Sequence, residues 1–190
     1  MRIEVGKTHY FEGHKFRLDM DPVPSKPIPG GTAMHEAMHI VPAIENGTGV
    51  ESATIVPGAG YSGLTKLSRP DIVAAMGPHS MGAGGTGYDV YIAGLMGNAG
   101  GAESAARGII NSNMDKVRAV ASKLEEVKTL TSVDIFRAID EVDHPKPQPA
   151  TLFIENENGD QSEKRVEVRD NILIEKVDLI EIFSTKIPIN

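Results

Sequence analysis

Apolar residues recur at helical spacing through the central part of the chain. The clearest helix is predicted over 114–127, where the apolar face consists of Met114, Val117, Val120, Ala121 and Leu124. Further helices are predicted over 33–45, 69–77, 88–96, 102–110 and 133–142. Pro42 lies within the first of these, and we expect a kink or an early end there because proline clashes with the carbonyl oxygen four residues earlier.

Strands are predicted between and around these helices. Alternating residues favour a strand over 50–56, and a return strand over 64–67 follows a glycine-rich break. After a proline-rich linker, strands are predicted over 151–154, 165–168 and 172–183, and short ones near the N-terminus over 1–5 and 15–18. The predicted fold class is therefore α+β: a mainly helical domain with a small edge-strand hairpin, followed by a short C-terminal antiparallel β module.

The same pattern divides the chain into three parts. Residues 1–31 are polar and contain four closely spaced prolines, which predicts an extended N-terminal arm. The helical domain is expected over 32–143. The C-terminal β module, over 150–190, is too small for a secure core of its own. We therefore expect it to pack on the helical domain or on a second subunit, so that a homo-oligomer is one expected arrangement.

Composition and charge narrow the choice of partners. The 190 residues carry a net charge of −7, which disfavours a nucleic acid or an anionic membrane as the main partner. The absence of cysteine excludes disulfides, thiolate metal ligands and cysteine nucleophiles. The N-terminus lacks the apolar run of a signal peptide, and glycines, Pro78 and Asp89 interrupt the weakly charged stretch over 72–102. We therefore expect a cytoplasmic protein.

The candidate chemistry lies in the first long predicted helix. Residues 35–39 read His-Glu-Ala-Met-His, an H-E-x-x-H motif. His35 and His39 lie one turn apart, so both imidazoles can reach one metal ion, and Glu36 can hold and deprotonate a metal-bound water molecule. Zinc suits this set because it accepts imidazole nitrogen and lowers the pKa of bound water to about 7. The motif predicts a zinc peptidase with Glu36 as the catalytic residue.

Catalytic zinc usually has three protein ligands, so a third residue is needed. Glu45 has the spacing of the longer H-E-x-x-H pattern, but Pro42 stands where that pattern requires glycine. Spacing alone does not decide between Glu103, in a helix rich in small residues, and Asp115, in the first turn of the helix over 114–127.

The strand over 50–56 suggests where a substrate would bind. The free edge of a strand beside the metal-binding helix can pair with an extended peptide and hold its scissile carbonyl at the metal. Thr54, Ile55 and Val56 are the predicted substrate-binding residues. The alternative interpretation is an ordinary core hairpin.

The order of these segments resembles the peptidase domain of the FtsH family of membrane-anchored AAA proteases. The resemblance covers about 32–128 and rests on H-E-A-M-H at 35–39, T-I-V-P at 54–57, G-L-T at 63–65, the small-residue stretch over 91–103 and N-M-D at 113–115. In that family the aspartate of the last segment is the third zinc ligand. The resemblance therefore implies a zincin-like peptidase domain in which His35, His39 and Asp115 bind Zn²⁺.

The chain departs from the family in several places. Met38 replaces a glycine, Met114 separates Asn113 from Asp115, and the sequence contains neither the P-loop of an AAA ATPase nor a transmembrane anchor. The resemblance therefore implies an ATP-independent zinc metalloendopeptidase that acts on unfolded or flexible polypeptides. The alternative is a non-catalytic, metal-stabilised binding or assembly protein that interacts through its C-terminal β module.

Overall fold

A computed structural model of the chain describes residues 4–11, 13–22, 29–169 and 172–173. Over these residues the fold is α+β, as predicted, and both sheets are antiparallel. The helices are α1 (Gly31–Glu45), α2 (Ile72–Ser80), α3 (Gly87–Met96), α4 (Ala99–Ser112), α5 (Met114–Val127) and α6 (Ser132–Asp143). The strands are β1 (Thr8–Phe11), β2 (His14–Met20), β3 (Val50–Thr54), β4 (Leu64–Leu67), β5 (Thr129–Thr131), β6 (Gln148–Glu155), β7 (Gln161–Arg169) and β8 (Ile172–Leu173).

The chain forms two compact units, one of Met1–Pro24 with Pro145–Asn190 and one of Ser25–His144. Most of the strand predicted over 1–5 and of the strand predicted over 172–183 lies outside the described residues. Within the described residues, no helix is both long and apolar enough to cross a membrane.

The first unit is a five-stranded sheet in the order β1-β2-β6-β7-β8. Within the segment predicted as an extended arm over 1–31, β1 and β2 form a hairpin that joins the C-terminal strands, and the strand predicted over 15–18 lies within β2. Phe16 and Leu18 alternate toward the core of this sheet, where they pack with Leu152, Ile154 and Val166. The N-terminal segment supplies apolar surface that the C-terminal module lacks by itself.

The second unit has its core between α1, α5 and α6 and the three-stranded sheet β4-β3-β5. The α5 prediction is confirmed at both ends, and its inward side chains pack on α1. The largest fully buried side chains of this core are Ile40, Val41, Ile110, Val117, Val120, Leu124, Leu130 and Ile135.

Two prolines lie inside helices without ending them. Pro42 was expected to kink or stop the first helix, but α1 continues to Glu45. Pro42 provides no N–H for the carbonyl oxygen of Met38. That oxygen instead faces Gly77 of α2, where an added Cβ would lie only 1.9 Å away. The missing hydrogen bond therefore coincides with the close approach of two helices.

α2 begins later and ends later than the predicted helix over 69–77. Asp71 caps it, and its carboxylate accepts hydrogen bonds from the backbone N–H groups of Val73 and Ala74. The helix then runs through Pro78 to Ser80. Pro78 withholds an N–H from the Ala74 carbonyl oxygen four residues earlier.

Candidate metal centre

Helix α1 presents both histidines of the H-E-x-x-H motif on one face, as the four-residue spacing predicts. The Nε2 atoms of His35 and His39 lie 3.2 Å apart. Their side chains are 15% and 12% exposed, so both are largely shielded from solvent. Two imidazole nitrogens at this separation can bind a single ion.

Asp89, in the first turn of α3, completes the group. Its Oδ2 lies 3.3 Å from Nε2 of His35, and its Oδ1 lies 3.6 Å from Nε2 of His39. For a tetrahedral zinc ion with bonds of about 2.0–2.1 Å, neighbouring ligand atoms are separated by about 3.3 Å. The two imidazole nitrogens have this separation, and each of them faces a different oxygen of the Asp89 carboxylate. One ligand atom from each of the three residues lies within 4.8 Å of the other two, so the group could hold a single ion. Among the described residues, this is the group of His, Asp or Glu side chains that could hold a metal ion.

Each histidine is oriented by a backbone carbonyl group. Nδ1 of His35 lies 3.2 Å from the Gly84 oxygen, and Nδ1 of His39 lies 2.8 Å from the Ala74 oxygen. A proton on each Nδ1 leaves the lone pair of Nε2 for a metal, which is the usual arrangement around ligating histidines. The Ala74 oxygen is the carbonyl that Pro78 leaves without an intrahelical partner.

The electrostatics of the group keep its carboxylate ionised. Burial by itself raises the pKa of Asp89, but the hydrogen bonds and charges of His35 and His39 outweigh it, and the pKa lies well below its ordinary value. The same Asp89 contact raises the pKa of His35. A metal ligand must be deprotonated, and Asp89 meets that requirement through the neutral pH range.

Glu36 is buried beside the histidines and is 4% exposed. Its Oε2 accepts a hydrogen bond from the Thr65 hydroxyl at 2.7 Å. Burial raises the pKa of Glu36, while Thr65 and the two imidazoles lower it by smaller amounts. A buried carboxylate whose pKa is raised in this way takes up a proton more readily than an exposed one, as a general base must.

Asp115, the third ligand implied by the resemblance, does not belong to this group. The Asp115 side chain is 84% exposed and lies 3.8 Å from Arg118. The inward face of α5 is formed by Val117, Val120, Ala121 and Leu124, and Asp115 lies on the opposite face.

The other acidic candidates are engaged elsewhere. Glu103 accepts a hydrogen bond from Arg107 at 2.8 Å, and Glu45 pairs with Lys116 at 3.3 Å.

Asp89 was missed because no motif contains it. The available signal was its isolation, since it is the single acidic residue between Ile72 and Ala102.

The predicted substrate-binding edge is also corrected. β3 is the central strand of its sheet, paired with β4 on one side and β5 on the other. The Thr54 hydroxyl contacts Thr129, and the Ile55 N–H donates to the Lys128 carbonyl group, so this backbone is occupied. Val56, beyond the strand, is half exposed. The edge strand next to the site is β4, which carries Thr65.

The sequence matches no protein-family model, and no curated protein matches it significantly.

Proposed function

We propose that the chain is a zinc metallopeptidase that hydrolyses peptide bonds in unfolded or flexible polypeptides without ATP. The observation that carries the proposal is the group of His35, His39 and Asp89, whose ligand atoms lie within 4.8 Å of one another, with a buried Glu36 beside them. The resemblance to the FtsH peptidase domain supports the same chemistry on a zincin-like domain, with Asp89 in place of Asp115 as the third ligand.

The residues of the chain would divide the reaction between them. His35, His39 and Asp89 would hold Zn²⁺, which supplies polarisation of the scissile carbonyl and activation of water when bound. Glu36 would take a proton from the attacking water and deliver it to the leaving amine. Because the Thr65 hydroxyl engages Oε2, Oε1 is the oxygen that we assign to this transfer.

The substrate would bind as an extended strand along β4. An extended peptide can add to an open sheet edge through backbone hydrogen bonds. β4 offers such an edge, and Leu64 next to Thr65 is 46% exposed and can contact an apolar substrate side chain. A segment that must become a strand has to come from an unfolded or flexible region, which gives the proposed substrate class.

Casein digestion without ATP tests the proposal. Zinc-loaded wild type is expected to cleave casein, and chelation of zinc is expected to stop cleavage. Glu36→Gln should retain zinc because Glu36 is not a ligand, and it should lose at least about a hundredfold in rate because the proton acceptor is gone. Cleavage by Glu36→Gln at the wild-type rate would refute the mechanism. A zinc-loaded wild type that does not cleave would favour the alternative, a metal-stabilised binding protein.

A further inference from the structure

We infer that Thr65 and Gly63 are positioning residues for the general base Glu36. The inference rests on the proposed function, because it assigns these residues a part in the reaction that Glu36 would carry out. It goes beyond that function by naming the segment that holds the base in place.

Thr65 is the first of the two contacts. Its hydroxyl lies 2.7 Å from Oε2 of Glu36 and 3.4 Å from the Glu36 carbonyl oxygen. A hydroxyl has one proton, so the shorter contact to the carboxylate is the main hydrogen bond. Hydrogen bonds to an ionised carboxylate are short and strong, and this one fixes the direction of a buried side chain.

Gly63 is the second contact, and its role is steric. A Cβ added to Gly63 would lie 2.4 Å from Oε1 and 2.9 Å from Cδ of Glu36. The backbone of Gly63 does not have a positive φ angle, so its conformation does not require glycine. Space for the Glu36 carboxylate is therefore the reason for glycine at this position.

Strand β4 connects these contacts to the substrate. Its side chains alternate, so that Leu64 and Lys66 are exposed while Thr65 faces Glu36. Pairing of Thr65 with Ala53 of β3 holds this register, and a shift by one residue would turn Thr65 away from the base. The strand that would pair with the substrate backbone therefore also holds the base.

The test compares four variants of the full zinc-loaded chain. Thr65→Val keeps the shape of the side chain and removes the hydroxyl, whereas Thr65→Ser keeps the hydroxyl. Gly63→Ala adds the Cβ that would displace the carboxylate. Thr129→Val is the matched control, because it makes the same change in β5 of the same sheet, away from Glu36.

Two measurements are made on each variant. The first is kcat and KM on labelled casein. The second, which needs no turnover, is the affinity for acetohydroxamate by calorimetry, because a zinc-binding hydroxamate needs a nearby acceptor for its proton. Zinc content is measured throughout and is expected to equal that of the wild type.

Thr65→Val and Gly63→Ala should lower kcat about 10- to 100-fold with KM changed less than about twofold, because a misplaced base slows the chemical step. Both should weaken acetohydroxamate binding about tenfold, because the Glu36 carboxylate would no longer be placed to accept the proton of the hydroxamate. Thr65→Ser should restore both values to within about threefold, since serine retains the donor. Thr129→Val should match the wild type.

The outcomes separate this inference from the proposed function. Hydroxamate binding without casein cleavage by the wild type would refute the peptidase proposal, and the affinities of the variants would still decide whether Thr65 positions Glu36. A Thr65→Val protein with wild-type affinity and wild-type kcat would overturn the inference. Equal losses in Thr65→Val and Thr65→Ser would also overturn it, because they would indicate packing rather than the hydroxyl.

Discussion

At the scale of single residues, the orientation of His39 in the candidate metal centre depends on a carbonyl group that a proline leaves without its helical partner. In a regular helix the N–H of residue 78 would bond to the Ala74 oxygen, but Pro78 has no N–H. The Ala74 oxygen instead lies 2.8 Å from Nδ1 of His39. A residue that is typical of a helix end in the sequence therefore leaves an acceptor that orients His39, one of the three residues that could bind a metal.

Replacing this proline should weaken metal binding. Pro78→Ala introduces an N–H that competes with His39 for the Ala74 oxygen, and we expect zinc affinity to fall up to about tenfold, at the lower end of outer-shell effects. A competition titration with a chelating dye measures the change. Pro42→Ala is the matched control, since the Met38 oxygen that it affects faces Gly77 rather than a ligand. Equal affinities for the two variants would contradict this role of Pro78.

At the scale of elements, α3 is held by few buried side chains. Of its ten residues only Ala93 is buried, while Tyr88, Tyr91 and Leu95 are 73%, 61% and 69% exposed. The helix nevertheless carries Asp89. An element with few buried side chains opens readily, so a metal that links Asp89 to α1 should stabilise α3 more than its own packing does.

Removal of zinc should therefore loosen α3 selectively. Hydrogen exchange of α3 amides is expected to speed up at least about tenfold in the zinc-free protein, because the bound metal would tether α3 through Asp89. Exchange in α5 should change little, because side-chain packing holds α5 in place. Mass spectrometry of peptic fragments measures both helices in one experiment. Equal exchange of α3 with and without zinc would show that Asp89 does not tether it.

Elements with a strong periodic pattern were predictable from the sequence. The bounds of α5 and β4 were predicted at both ends, and α1 was displaced by two residues at its start. β5 was missed because its three residues become a strand only by pairing with β3. Asp89 was missed for the same kind of reason, since it reaches His35 and His39 only because α3 packs on α2 and α4, which no local pattern records.

At the scale of the whole molecule, the predicted helical domain nearly matches the helical unit, whereas the sheet unit was predicted as two separate parts of the chain. The predicted boundary at 143 lies next to the end of the helical unit at His144, but the N-terminal strands belong with the C-terminal ones. Phe16 and Leu18 are two buried positions in a short polar strand. Their partners lie more than a hundred residues later, so sequence spacing could not reveal the pairing.

Leu18→Ala should destabilise the sheet unit without affecting the metal centre. Leu18 is fully buried, and truncation of a buried leucine costs about 2–5 kcal/mol. Urea unfolding measures the loss, and Tyr10→Ala, at a side chain that is 73% exposed, should cost less than about 1 kcal/mol. Zinc affinity should stay at the wild-type value, because all three ligands belong to the helical unit. A parallel loss of zinc affinity would contradict this separation.

The central claim is that His35, His39 and Asp89 hold a catalytic zinc ion, and one paired substitution tests it most directly. Asp89→Asn and Asp115→Asn each remove one negative charge. Asp89 belongs to the group that could bind the metal, whereas Asp115 is exposed in the first turn of α5. Zinc content and casein cleavage are measured for both. We expect Asp89→Asn to lose zinc and cleavage together and Asp115→Asn to keep both. Loss of zinc from Asp115→Asn, with zinc retained in Asp89→Asn, would contradict the account and would indicate that Asp115 is the third ligand.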